Sequence, residues 1–173
     1  MKKNIYLKKK LTSSWFSLLS QMICYEFQKI EEDFGKKTKQ KAKYFERNSW
    51  KKSKFKNEGG GTYSIIKDGL VFDSLGVNFS KVSGKFQNKF KSQILGAKKN
   101  PNYWASGISI VAHMKNPKIP AMHFNTRFIV TSQNWFGGGM DATPSVEDRK
   151  ETKFFHEKIR VMCNKHNTNY YLK

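Results

Sequence analysis

The side chains best suited to chemistry lie between residues 105 and 130. In an extended chain alternate side chains share a face, so His123, Asn125 and Arg127 project together while Met122, Phe124, Thr126 and Phe128 project the other way. The preceding stretch, Ala105 to His113, places Ser109 and His113 on one face by the same parity. If the two stretches pair, one surface holds an arginine, two histidines, an amide and a hydroxyl. That set suits a carboxylate-bearing substrate: the guanidinium is a planar fork for the carboxylate, and imidazole moves a proton near neutral pH. A solvated sheet face with ordinary polar residues has the same pattern.

Other constellations are weaker. His113, His123 and His156 offer three imidazoles for a metal, but their spacings of ten and thirty-three residues match no compact ligand motif. No serine elbow or paired Cys and His signature is present. The string from Trp135 to Pro144 is the most unusual in the chain. Gly137, Gly138 and Gly139 after two aromatics would let backbone approach a large flat ligand, in a loop that ends on Asp141 just before a helix. A flexible turn with a capping acid is the plainer reading. Gly59, Gly60 and Gly61 lack the GxxxxGK[ST] spacing of a phosphate loop and run into an extended stretch, so they read as a bend or a close backbone approach.

These residues need elements to position them. Phe16, Leu19, Ile23, Phe27, Ile30 and Phe34 recur at three- and four-residue steps, which predicts a helix capped at Thr12 or Ser13 and stopped at Gly35. Lys36 to Lys56 reads as an exposed strand whose aromatics Tyr44, Phe45, Trp50 and Phe55 face inward. Thr62 to Lys67, the hairpin signal Asp68-Gly69, Leu70 to Leu75 and Val77 to Val82 predict an antiparallel meander. Lys85 to Asn102 is polar and poorly periodic, a loop or short helix. Pro117 and Pro120 suit a rigid connection between neighbouring antiparallel strands. A last helix is predicted from Pro144 to about His166, capped by Thr143, with Phe155, Ile159, Met162 and Cys163 as a core-facing stripe.

Composition bounds the class. The 173 residues fit one domain with a lysine-rich helix and linker over about 1–56. A formal net charge of +20 raises nucleic acid as a partner, and a basic, non-enzymatic binding protein is the competing class. Yet 29 of the 33 basic residues are lysine, scattered end to end, with arginine only at Arg47, Arg127, Arg149 and Arg160. Phosphate-reading surfaces favour clustered arginine forks, so the pattern argues for a compositional background and no nucleic-acid partner. Cys24 and Cys163 have no CxxC partner, which fits a reduced, cytoplasmic protein, and no apolar run reaches the roughly 20 residues of a membrane span.

At Trp135 to Pro144 the residues become specific, because WFGGGxDxTP resembles the WFGGGxDLTP signature of oxygen-dependent coproporphyrinogen III oxidases. Gly107-Ile108-Ser109 through His113, Asn116-Pro117, Ile119-Pro120 and His123 to Arg127 resemble that family's G[IV]S, H, NP, P and HxNxR block. Upstream, Gly59 to Gly61, Lys67-Asp68-Gly69, Val71-Phe72 and Gly76 to Ser80 resemble its Gly-rich and DGxVFExxGVNxS block. Phe155-His156, Cys163 and Tyr170-Tyr171 continue in register, so the likeness runs from about Phe45 to Lys173.

The resemblance implies an α+β fold, a large flat antiparallel sheet covered by helices on both faces, incomplete in this chain and usually homodimeric. It implies oxidative decarboxylation of two tetrapyrrole propionates to vinyl groups, with molecular oxygen as co-substrate and no organic cofactor. Carried over by motif, Ser109, Asn125, Thr126 and Arg127 contact substrate, His123 donates a proton, and His113, His123 and His156 correspond to ligands of a divalent metal such as manganese. Ser83, Met114, Ala142 and Ser145-Val146 depart from the pattern. The largest departure is length: the sequence stops at Leu172-Lys173, where the family continues into an HRxExRGIGGIFFDDL block. A second polypeptide supplying that half is therefore an expected partner.

Overall fold

The structure is a computed structural model that describes residues 2–87, 89 and 91–171. Its elements run α1 (Lys2–Thr38), β1 (Glu46–Lys51), β2 (Gly59–Lys67), β3 (Phe72–Lys85), β4 (Asn102–Met114), β5 (Ala121–Val130), β6 (Asn134–Thr143) and α2 (Arg149–Asn164). The six strands form one antiparallel sheet in sequence order, β1-β2-β3-β4-β5-β6. Each strand returns beside the last, so the expected meander and the pairing of the Ser109 strand with the His123 strand are both present. The α+β class holds with an open, incomplete sheet.

One face of this sheet is the core. Phe16 on α1 is buried against Leu75, Val77, Ile108, Ile110 and Phe128, and Leu19, Ile23 and Phe27 pack at the edge of that cluster. These residues recur at helical spacing on α1 and at alternate positions on the strands, so each element presents one apolar side. α1 makes its sheet contacts with β3 and β4. The helix differs from its predicted bounds for identifiable reasons. Thr12 Oγ1 donates to Lys8 O at 2.7 Å and Ser13 Oγ to Lys10 O at 3.1 Å, so both hydroxyls are satisfied within a continuing helix and cap nothing. Gly35 does not stop it either. It is buried where the chain folds back, with an added Cβ lying 2.8 Å from Gln40 O. The helix ends beside Lys39, whose φ is +56°. Ile30 and Phe34 were expected in the stripe but stay exposed, while Glu31 takes the buried position.

Glu31 ties α1 to the β2-β3 hairpin. Its carboxylate accepts the backbone N–H groups of Leu70 (2.8 Å), Val71 (2.9 Å) and Phe72 (2.8 Å). Asp68 takes the left-handed φ of +51° that the Asp68-Gly69 turn requires. At Gly61 any Cβ would run into the Phe79 carbonyl, which bears out the close-approach reading of the glycine triplet.

Four local expectations are corrected. Phe45 packs against the core and Trp50 is half-buried, but Tyr44 and Phe55 are exposed, because β1 covers only Glu46–Lys51. Trp135 to Thr143 is a strand and not a loop: glycines tolerate the pleat, and β5 offers them a complete ladder from Ala121↔Thr143 to Val130↔Asn134. α2 begins at Arg149, since Asp148 Oδ1 accepts from Lys150 N and Glu151 N, a stronger cap than Thr143 could supply from inside a strand. None of the α2 residues is buried, so Cys163 is half-exposed and not core. Part of the 86–101 segment, at positions 88 and 90, lies outside the described residues; the remainder is loop and turn.

α1 covers one face, and among the described residues the opposite face presents Tyr63, Val111, His113, Arg127 and Asp141 to solvent.

Candidate functional site

Register builds this open face in rows, because paired residues on antiparallel strands share a side. One row runs Trp50, Gly61, Ser80, Gly107, Arg127, Gly137. The next runs Asn48, Tyr63, Asn78, Ser109, Asn125, Gly139. The third ends Gly76, Val111, His123, Asp141. Ser109 and Asn125 are direct cross-strand partners, and His123 and Arg127 flank Asn125 on the same strand face. The sequence parity argument therefore holds in space.

Polar contacts link the rows. His123 Nδ1 lies 3.0 Å from Asp141 Oδ2. Asn125 Nδ2 approaches His123 Nε2 at 3.5 Å, and Arg127 donates to Asn125 Oδ1 at 3.5 Å. The chain Asp141, His123, Asn125, Arg127 spans β6 and β5. The long outer links leave the guanidinium largely free to bind an anion.

The floor is made of glycine. An added Cβ on Gly76 or Gly139 would meet nothing within 4 Å, and one on Gly137 only the Trp135 ring at 3.9 Å. A flat ligand can therefore lie close to the backbone there. Gly138 faces the other side, where a Cβ would strike Asn125 O. Beside this floor is a cavity of about 310 Å³ lined by Asn78, Ser80, Ser109, Arg127, Ile129 and Tyr103. Its wall is the stacked pair Phe86 and Tyr103, with ring centroids 4.5 Å apart.

Lys52 supports that wall. Its ammonium donates to Ser83 O at 2.6 Å and to Tyr103 Oη at 3.1 Å, and lies 3.2 Å from Glu58. Partial desolvation pulls its ionisation down, but the Tyr103 hydroxyl and the Glu58 carboxylate outweigh this and hold it above the ordinary lysine range. On the covered face, burial pushes the Cys24 thiol up, which suits a packing thiol.

Several predicted residues fall elsewhere. Thr126 points to the α1 side and reaches the cavity from behind the strand. His113 lies at the far end of β4 with Nδ1 3.2 Å from Ser74 Oγ, and His156 on α2 sits 3.2 Å from Tyr171 Oη. The three-histidine set is thus not assembled: each imidazole has a different partner, and among the described residues no three His, Cys, Asp or Glu side chains converge on a metal-sized site. Asp141 is found at the site, but as the cross-strand partner of His123 and not as a loop acid. Sequence reasoning missed Asn78, Ser80, Tyr103 and Phe86. Extending the strand parity of β4 back to Asn102 would have exposed Tyr103, and the pairing of β3 with β4 would have exposed Asn78 and Ser80; Phe86, just past the end of β3, carried no such signal.

Comparison with known proteins agrees with the geometry. Residues 12–173 match the coproporphyrinogen III oxidase family. The chain is 48% identical over 166 residues to the oxygen-dependent coproporphyrinogen-III oxidase of Rickettsia typhi and, over the same length, 48% identical to that of Rickettsia prowazekii. It is 47% identical over 165 residues to that of Rickettsia bellii. In each case the match covers 95% of this chain and 58% of the relative. No helix among the described residues is long and apolar enough to cross a membrane. With the family match spanning nearly the whole sequence and the motif residues gathered on one sheet face, this chain belongs to the coproporphyrinogen III oxidase family.

Proposed function

We propose that the open face of the sheet is the substrate platform of an oxygen-dependent coproporphyrinogen oxidase acting in the cytoplasm. The observation that carries the reading is the row of Ser109, Asn125 and Arg127 beside the His123–Asp141 pair, on a floor of glycine with room for a flat ring. A tetrapyrrole with propionate arms needs an apolar, planar surface and a few fixed polar groups around it. Arg127 anchors a propionate through its planar fork, Ser109 and Asn125 add hydrogen bonds, and His123, oriented at Nδ1 by Asp141, moves a proton at Nε2. In the overall reaction each reacting propionic acid arm loses two hydrogens and carbon dioxide to become vinyl, and oxygen takes up the two hydrogens as hydrogen peroxide. No organic cofactor enters this balance.

The platform is one wall of a site. Catalytic groups act when held within roughly 0.5 Å of their productive positions and screened from water. The face seen here is open, and the second wall is supplied by elements matching the rest of the relatives' length or by a second copy of the chain. The test is oxygen uptake and protoporphyrinogen formation by the 173-residue chain, alone and with the complementary polypeptide. Turnover only with the complement is expected. Robust turnover by the chain alone overturns the two-wall reading, and no turnover with the complement overturns the assignment.

A further inference from the structure

Trp50 on β1 reaches across β2 to β3. Its register partner Gly61 has no side chain, and its indole Nε1–H donates to Asn78 Oδ1 at 3.0 Å. An indole N–H only donates, so the Asn78 atom it meets must be the carbonyl oxygen, and the amide is held one way round. Asn78 Nδ2 keeps both of its N–H donors without a hydrogen-bond partner among the described residues. Asn78 also lines the cavity of about 310 Å³ beside the glycine floor. The bond is internal to the sheet and does not depend on what covers the open face.

The place of that donor suits a carboxylate. Asn78 and Ser109 are direct partners on β3 and β4, where Cβ atoms stand roughly 5 Å apart, so one carboxylate can take a hydrogen from each. The Arg127 guanidinium lies by Asn125, two strands from Asn78 and on the order of 10 Å away. Amide and guanidinium therefore meet different carboxylates of a ligand that carries several. An amide already turned the right way also gives up less freedom when it binds.

We infer that Asn78 and Ser109 form a second carboxylate subsite on the β3 side of the platform, with Trp50 as the positioning residue that turns the amide donors of Asn78 toward the ligand. The inference rests on the tetrapyrrole reading and adds a second propionate contact to that of Arg127. A planar ligand held at two carboxylates cannot rotate in its plane, so the two contacts together set which arm lies at His123.

The test is coproporphyrin titration of the full chain, followed by fluorescence, with urea unfolding of each variant. Asn78→Asp keeps an oxygen for the Trp50 N–H but exchanges the donor for a second acceptor. It should retain the parent's stability and Trp50 indole proton shift, and weaken binding at least about tenfold. Asn48→Asp puts the same charge in the same row, out on β1, and should change binding less than about twofold at physiological salt. Trp50→Phe keeps an aromatic ring and removes the N–H. It should weaken binding about threefold in the parent and not at all in an Asn78→Ala background, the coupling expected of a residue that acts through another. That cycle decides by itself if Asn78→Asp does not fold. Parent-like binding by Asn78→Asp, an equal loss in Asn48→Asp, or a Trp50→Phe loss that persists without Asn78 would each overturn the inference. If Arg127→Ala still weakens binding in that case, the platform stands without the second subsite. A parent chain that binds no coproporphyrin overturns both together.

Discussion

His123 Nδ1 and Asp141 Oδ2 lie 3.0 Å apart across the β5-β6 ladder, as direct register partners. A carboxylate beside one ring nitrogen fixes the tautomer: Nδ1 carries the hydrogen and Nε2 is turned toward Asn125 and the open face. Asp141→Ala should release that preference. Nitrogen-15 spectra of the imidazole should show the Nδ1–H form in the parent and a mixture in the variant, with the fold intact. An unchanged tautomer would mean that Asp141 does not orient His123.

Arg127→Lys should weaken coproporphyrin binding about tenfold despite keeping the charge, because an ammonium cannot offer two parallel N–H donors. Fluorescence titration of both proteins measures this. Equal affinities would remove Arg127 as the carboxylate anchor.

The three glycines of β6 should behave differently from one another. Gly139→Leu places a side chain in open space above the ladder, so stability should change by less than about 1 kcal/mol while porphyrin binding is blocked. Gly138→Ala drives a Cβ toward Asn125 O and should destabilise the sheet by roughly 1–3 kcal/mol. Urea unfolding and the binding titration, run on both variants, separate the two effects.

Glu31 is the main fastener between α1 and the β2-β3 hairpin. Glu31→Ala leaves three backbone N–H groups of Leu70, Val71 and Phe72 without their acceptor and should cost about 3–5 kcal/mol. Glu31→Gln keeps one acceptor oxygen and should fall between. A loss below about 1 kcal/mol on urea unfolding of Glu31→Ala would contradict this account.

On α2 the Arg160 guanidinium, bonded to both Glu157 oxygens at 2.6 and 2.9 Å, holds the Glu157 carboxyl below the usual carboxylate range. A carboxyl depressed in the folded state contributes stability above its unfolded value and loses it as pH falls through the folded one. The pair is half-exposed at the surface and the effect small. Amide exchange in α2 should be slower in the parent than in Glu157→Gln at pH 6, and the difference should vanish in strong acid.

Much of the site was legible because strands obey a two-residue period. Parity alone placed His123, Asn125 and Arg127 together, and the proline-bearing connection implied that β4 and β5 pair. What parity could not reach was β6, where Gly137 to Gly139 offer no alternation and glycine is as common in loops as in bulging or tightly packed strands; the His123–Asp141 pair was hidden with it. Glu31 was unreadable because its partners are backbone groups about forty residues away.

The most direct test is where a tetrapyrrole binds. Amide and methyl shifts on titration with coproporphyrin should move at Ser109, Asn125, Arg127, Gly137 and Gly139, on the open face, and remain still at Phe16, Leu75 and Ile110 beneath α1. Shifts confined to the lysine-rich loop around Phe55, or persisting undiminished in Arg127→Ala, would contradict the assignment of the open face as the substrate platform.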